Sequence, residues 1–158
     1  MIQVGDKIPD VKVTVAAADG HKTVGTGELF AGKKAVLFAL PGAFTPTCSA
    51  AHLPGYVVAF DQFKDKGVDL VACLSVNDAF VMDAWGKSQN AEYLTMVADG
   101  GAAFTKAVGL VLPTGDFGGE RSQRYAMLLD DRVVKVLNVE DGGKFEVSNA
   151  ETLLKALG

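Results

Sequence analysis

Between Lys33-Lys34 and Pro41-Gly42 the chain runs without interruption through apolar residues, Ala35 to Leu40. A run this short, bounded by charge on one side and a turn on the other, predicts a strand covered on both faces. After the turn the period becomes helical. Leu53, Tyr56, Val57, Phe60 and Phe63 recur on one face, so a helix should open near Thr47 and Cys48 and close at Lys64, Lys66 and Gly67. Pro54 lies inside that span and predicts a kink. Val68 to Val76 reads as a second strand, and Asn77-Asp78 can cap a helix through Phe80, Val81 and Trp85. A third strand follows at Leu94 to Ala98, then a short helix at Ala102 to Val108 and an irregular stretch, Leu112 to Glu120, holding Pro113 and several glycines. Arg124 to Leu129 and Val133 to Val139 form a hairpin turned at Asp130-Asp131. Ser148-Asn149-Ala150-Glu151 has the form of a capping box ahead of Leu153, Leu154 and Leu157. The order β-α-β-α-β-α-β-β-α implies an α/β fold, a mixed central sheet flanked by helices on both faces.

Composition narrows the picture further. The length of 158 residues suits a single domain over 1–158, and 49% hydrophobic against 22% charged residues excludes a disordered or low-complexity chain. Fifteen basic against 19 acidic residues give a net charge of −4 without a basic run, so no nucleic-acid partner is expected. No apolar run approaches the roughly 18 residues of a spanning helix, so no membrane partner is expected either. The N-terminus has neither the basic nor the apolar region of a secretory signal. That points to a cytoplasmic protein, although a transit peptide removed on entry to an organelle would leave no trace. Two cysteines, Cys48 and Cys73, cannot staple a disulfide scaffold, and with only His21 and His52 beside them they offer no zinc-ligand spacing.

Cys48 is the residue with chemistry to offer. It falls in the first turn of a helix that follows a buried strand, where free backbone N–H groups and the helix dipole stabilise a thiolate. Position alone fits a buried, inert cysteine equally well. The neighbours decide. Pro41, Thr45 and Cys48 form Pro-x-x-x-Thr-x-x-Cys, which resembles the active-site motif of the peroxiredoxins. The fuller Pro41-Gly42-Ala43-Phe44-Thr45-Pro46-Thr47-Cys48-Ser49, then His52-Leu53-Pro54-Gly55 and Ser75-Val76-Asn77-Asp78, are similar to the type II (peroxiredoxin-5-like) branch. The likeness continues through Val97-Ala98-Asp99-Gly100 and Arg121-Ser122-Gln123-Arg124-Tyr125, and is most evident with members from plants and green algae.

The resemblance implies a thioredoxin-like fold and a thiol-dependent peroxidase. Cys48 would be the peroxidatic cysteine, oxidised to a sulfenic acid by hydrogen peroxide or an alkyl hydroperoxide. Thr45 would hydrogen-bond thiolate and peroxide, Pro41 would shield the reacting oxygens from water, and Arg124 would match the family's arginine. It further implies no metal, haem or flavin cofactor and a homodimer, with Phe44, Phe80 and Phe117 as candidates for the dimer face or substrate rim. An outside thiol would be required, glutathione with glutaredoxin or a thioredoxin.

Magnitudes explain why a thiolate alone is insufficient. Lowering a thiol's pKa from about 8.5 to about 6 raises its thiolate fraction at pH 7 about thirtyfold. The same fall costs roughly tenfold to twentyfold in nucleophilicity, so the net gain is about twofold. Most of the acceleration must then come from aligning the peroxide and stabilising charge on its leaving oxygen.

Cys73 stands in the apolar strand Leu70 to Leu74 and reads as a buried, inert thiol. A resolving role would require its Cα to come within about 7 Å of that of Cys48, which demands unwinding of the first helical turn. His52, four residues past Cys48, shares a helix face with it, but a cysteine–histidine dyad is disfavoured: such a base is normally oriented by a third group, and the peroxiredoxin resemblance gives this histidine no base role. Gly115-Asp116-Phe117-Gly118-Gly119 lacks the Lys-Ser/Thr of a phosphate loop and reads as a surface loop. The rival to a turning-over peroxidase is a stoichiometric redox sensor that passes oxidation from Cys48 to a partner protein. A thioredoxin-type oxidoreductase is disfavoured, since Thr45 occupies the place of the second cysteine of Cys-x-x-Cys.

Overall fold

Alternate residues of the strand Lys34–Leu40 (β3) feed two different cores, which is why its apolar run is unbroken. Val36, Phe38 and Leu40 face one side of the sheet, and Ala35, Leu37 and Ala39 the other. The computed structural model describes residues 1–17 and 19–158. Around β3 the chain lays down β1 (Lys12–Val15), β2 (Lys22–Gly25), α1 (Thr26–Phe30), α2 (Leu53–Asp65), β4 (Leu70–Ser75), α3 (Ala79–Ser88) and β5 (Thr95–Ala98). It continues through α4 (Ala103–Val108), β6 (Val111–Pro113), β7 (Glu120–Ser122), β8 (Tyr125–Asp130), β9 (Val133–Val139) and α5 (Ala150–Ala156).

Among the described residues seven strands form one sheet in the order β2-β1-β5-β4-β3-β8-β9, while β6 and β7 pair separately. β3, β4 and β5 run parallel, and β1 and β8 join them antiparallel, so the sheet is mixed as the element order predicts. α2, α3 and α5 cover one face through Tyr56, Phe63, Trp85 and Leu153. α1 and α4 cover the other through Phe30, Phe104 and Val108. Each large apolar side chain fully removed from water in this way contributes about 1.5–3 kcal/mol. No helix among the described residues is long and apolar enough to cross a membrane.

The structure departs from the sequence reading in four places. β1, β2 and α1 precede the first strand that the apolar runs announce, because β1 and β2 are four-residue strands on one flank of the sheet, β2 at its edge and β1 next to it, with a single buried residue each. The stretch read as irregular contains β6 and β7, which pair across the loop between them. Ser148 does not cap α5: Asn149 does, accepting from the N–H of Thr152 at 2.8 Å, because the Ser148 hydroxyl is drawn to the Glu140 carboxylate at 2.6 Å. Instead of a kink at Pro54, a π-helical turn, Cys48–His52, precedes α2, with Pro54 in the first turn of the α-helix proper. A proline there lacks a donor that an ordinary helix would use, and the wider turn ahead of it removes the demand.

Candidate active site

Three chain segments meet at the C-terminal end of the parallel strands. The turn Pro41 to Thr47 leaves β3, Ser75 to Asn77 leaves β4, and Arg124 enters β8. The register sets Ala39 beside Tyr125, so Arg124 arrives next to the end of β3. Arg124 shares its parity with Ala126 and Leu128, which face α2, whereas Tyr125 and Met127 face the opposite core. Strand alternation therefore aims the guanidinium at the π-helical turn.

There Arg124 makes two contacts. Its Nη2 donates to Cys48 Sγ at 3.1 Å, and its Nη1 donates to His52 Nδ1 at 2.9 Å. Cys48 and His52 are both fully buried. Since a guanidinium can only donate, Nδ1 must be the acceptor, and the ring proton then sits on Nε2. Nε2 in turn donates to the carbonyl of Ser148 at 3.1 Å, which also accepts from the Tyr56 hydroxyl at 2.7 Å. The imidazole is boxed by Phe38, Tyr56 and Phe145, with centroids 5.1, 5.7 and 5.0 Å away. That burial, and next the charge of Arg124, lowers its pKa from 6.5 to about 3 against the opposing pull of Ser148 and Glu140. His52 is thus neutral and is not a base acting on Cys48. It is a fixed acceptor for the arginine, which the i, i+4 spacing hinted at without identifying the arginine as its partner. Phe145 also lies under the guanidinium, 5.8 Å from Cζ to the ring centroid.

The turn that carries the Pro-x-x-x-Thr-x-x-Cys pattern is tied down at several points. Ala43 N–H donates to Asn77 Oδ1 at 3.0 Å, and the Ser75 hydroxyl donates to the same oxygen at 2.6 Å. Trp85, fully buried on α3, donates from Nε1 to Ser49 Oγ at 3.0 Å and so holds the π-helical turn from the outside. The backbone at Phe44 is left-handed, with φ 63°, a conformation costing a residue with a Cβ about 1–2 kcal/mol. Phe44 is left 57% exposed by it. Thr45 Oγ1 directs its one proton to the carbonyl of Gly42 at 2.7 Å and so does not donate to Cys48 here; its oxygen keeps acceptor capacity. Pro41 and Arg124 line a cleft of about 330 Å³ with Leu112, Gln123, Glu140, Gly142 and Gly143. Arg121 braces the loop after β6, donating to the carbonyls of Gly118 at 2.9 Å and Val76 at 3.2 Å.

The four residues singled out from the sequence, Pro41, Thr45, Cys48 and Arg124, thus gather in one place. Cys73 does not join them. It lies opposite Phe38 in the sheet interior, fully buried, and burial followed by the nearby Cys48 pushes its thiol well above the usual range. His21 is engaged elsewhere: its Nδ1 accepts from the N–H of Ala17 at 3.3 Å and its ring meets Phe80 edge-on at 4.8 Å. Among the described residues no group of three or more His, Cys, Asp or Glu side chains is placed to hold a metal ion.

Residues 3–154 match the family model described as Redoxin. Peroxiredoxin-2E-2, chloroplastic, of Oryza sativa subsp. japonica is 54% identical over 99% of this chain and 72% of that protein. The crystal structure of reduced Prx3 in complex with hydrogen peroxide from Vibrio vulnificus superposes with a TM-score of 0.98 at 60% identity, covering 100% of both chains. Peroxiredoxin 5 from Alvinella pompejana superposes at 0.88 with 37% identity over 99% of this chain and 98% of that one.

Proposed function

The chain belongs to the redoxin family and within it to the peroxiredoxins, thiol-dependent peroxidases of thioredoxin-like fold, and on that premise we propose which residues turn it over and with what partners. Cys48 is the nucleophile. Its thiolate attacks one oxygen of hydrogen peroxide or an alkyl hydroperoxide; the S–O bond forms as the O–O bond breaks, and the departing oxygen takes a proton to leave as water or an alcohol. The observation that carries this reading is the Arg124 guanidinium on Cys48 Sγ at 3.1 Å. A cation there, held from its other side by His52, faces both the thiolate and an oxygen approaching it. Thr45, its proton already committed to Gly42, is suited to accept from the peroxide O–H. Pro41 closes the wall of the cleft and keeps water from the reacting oxygens.

The resulting sulfenic acid is regenerated from outside. One thiol condenses with Cys48–SOH to a mixed disulfide and releases water; a second thiol attacks that disulfide and restores Cys48–SH. Glutathione with glutaredoxin, or a thioredoxin, fits this role, and no prosthetic group enters the cycle. The burial of Cys73 and the raised pKa of its thiol favour a bystander's part. Because Cys48 is itself buried, the π-helical turn must open for any thiol to reach the sulfenic acid. Such a cycle needs a reducing compartment, the cytoplasm or an organelle of the kind the rice relative's name gives for that protein. Phe44, Phe80 and Phe117, 57%, 76% and 93% exposed, are the face on which a second copy docks.

Turnover is the test. With excess peroxide and either glutathione plus glutaredoxin or a thioredoxin system, the protein should consume many equivalents and the Cys48→Ser variant none. Consumption that stops after one equivalent with every reductant would instead identify a stoichiometric sensor.

A further inference from the structure

Behind the arginine lies a loop held by a buried charge. Glu140, 6% exposed, accepts from the backbone N–H of Glu146 at 2.9 and 3.0 Å, of Val147 at 2.9 Å and of Ser148 at 2.7 Å, and from the Ser148 hydroxyl at 2.6 Å. Every one of these bonds goes to three consecutive residues of the segment between β9 and α5. Burial alone would push this carboxyl up, yet the bonds from Ser148, Glu146 and Val147 outweigh it and hold it below the usual carboxylate range.

What the clamped segment supplies is specific. The Ser148 carbonyl fixes the proton of His52 on Nε2, and Phe145 backs both the imidazole and the guanidinium. Arg124 keeps its direction only while Nδ1 is free to accept. If the Ser148 carbonyl swings away, the ring can flip or change tautomer and oppose an N–H to the guanidinium, donor against donor. Apolar packing could hold a loop in place without burying a carboxylate, but it could not aim one carbonyl.

We propose that Glu140 is a remote positioning residue for peroxide reduction: by clamping Glu146 to Ser148 it fixes the Ser148 carbonyl, hence the tautomer of His52, hence the direction in which Arg124 meets Cys48 and the peroxide. The inference rests on the reading of Arg124 as the group that aligns the peroxide.

The test uses the reduced full chain and two reactions of Cys48. Alkylation by iodoacetamide reports the thiolate and its exposure, whereas reaction with hydrogen peroxide also requires the aligned guanidinium, so the ratio of the two rates, read together with the imidazole tautomer, isolates alignment. Arg124→Ala should lower that ratio about a hundredfold. Glu140→Gln keeps an acceptor for most of the donors but turns an NH₂ toward the N–H of Glu146, and should lower the ratio about tenfold. Its imidazole nitrogen spectrum should show a mixture of tautomers where the parent shows Nε2–H alone. A ratio within about twofold of the parent in Glu140→Gln, with Arg124→Ala strongly reduced, would overturn the proposal and leave Glu140 a structural staple. An unchanged ratio in Arg124→Ala would instead overturn the reading on which it rests. Should Glu140→Gln fail to fold, Ser148→Ala removes one bond to the carboxylate and keeps the carbonyl; it should lower the ratio about threefold, and no change there overturns the proposal too.

Discussion

Acid should destabilise this protein through His52 in a way that can be measured residue by residue. The imidazole titrates near 3 in the folded chain because it is buried and next because Arg124 lies against it, while an exposed imidazole titrates near 6.5. Between those values the unfolded chain binds a proton that the folded chain refuses. Stability is therefore complete above about pH 6.5 and falls by about 1.4 kcal/mol for each pH unit below it, down to about pH 3. Integrated from about pH 7.5 to about pH 4.5, the loss is about 2.7 kcal/mol, which lowers the melting temperature of a domain this size by roughly 5–10 °C. Glu140, held below the usual carboxylate range, adds a loss of the same sign at lower pH, so the raw acid profile is not specific to His52. His52→Gln retains a donor and an acceptor but cannot titrate. Urea unfolding of both proteins across this range should show the parent losing about 2.7 kcal/mol more than the variant. A difference below about 0.5 kcal/mol would mean that the imidazole takes up a proton inside the fold without penalty. It could not then be the neutral acceptor that holds Arg124, and the geometry of the site as described would fail.

Other expectations follow from the same contacts. Cys73→Ala should leave thiol-dependent peroxide turnover within about twofold of the parent and cost about 1 kcal/mol in urea unfolding; loss of turnover would make Cys73 a participant. Asp99, 2% exposed, accepts from the N–H of Phe104 and Thr105 and from the Thr105 hydroxyl at the start of α4. Asp99→Ala leaves those donors buried and unpaired and should cost about 3 kcal/mol, while the peroxide rate per folded molecule stays unchanged. The proposed dimer face is tested by sedimentation: the parent should run as a dimer and Phe80→Ser with Phe117→Ser as a monomer, while a monomeric parent would refute the dimer and an unaltered dimer would move its interface to another face.

Much of the fold was legible because its central elements carry strong periodicity. β3 and β4 are covered on both faces and read as unbroken apolar runs; α3 carries its cap in Asp78, whose side chain accepts from the Val81 N–H. β1, β2 and α1 were not, since four- and five-residue elements with half-exposed faces leave no period to detect. The alternation in Val11, Val13 and Val15 was the available signal for β1. The π-helical turn has no sequence code beyond Pro54 shortly after it. In the site, the peroxiredoxin-like pattern pointed to Pro41, Thr45, Cys48 and Arg124, and the fold brings them together. The residues that position them were hidden for a physical reason. His52, Ser148 and Glu140 act through a carbonyl and through contacts spanning up to 96 positions, and a backbone carbonyl has no letter in the sequence. Ser148 was even drawn to the wrong role, because a serine before a helix resembles a cap until a buried carboxylate competes for its hydroxyl.

The central claim, that Cys48 alone takes the peroxide's oxygen and is then reduced by an outside thiol as that oxygen leaves in water, is tested most directly by intact mass. One equivalent of hydrogen peroxide is added to the fully reduced protein, then glutathione, with Cys48→Ser treated alongside. The account predicts a gain of one oxygen that glutathione converts to a mixed disulfide on Cys48, and no change in the variant. A loss of two hydrogens, marking a bond between Cys48 and Cys73, would contradict the external-thiol cycle, and oxygen gained by Cys48→Ser would contradict the assignment of the nucleophile itself.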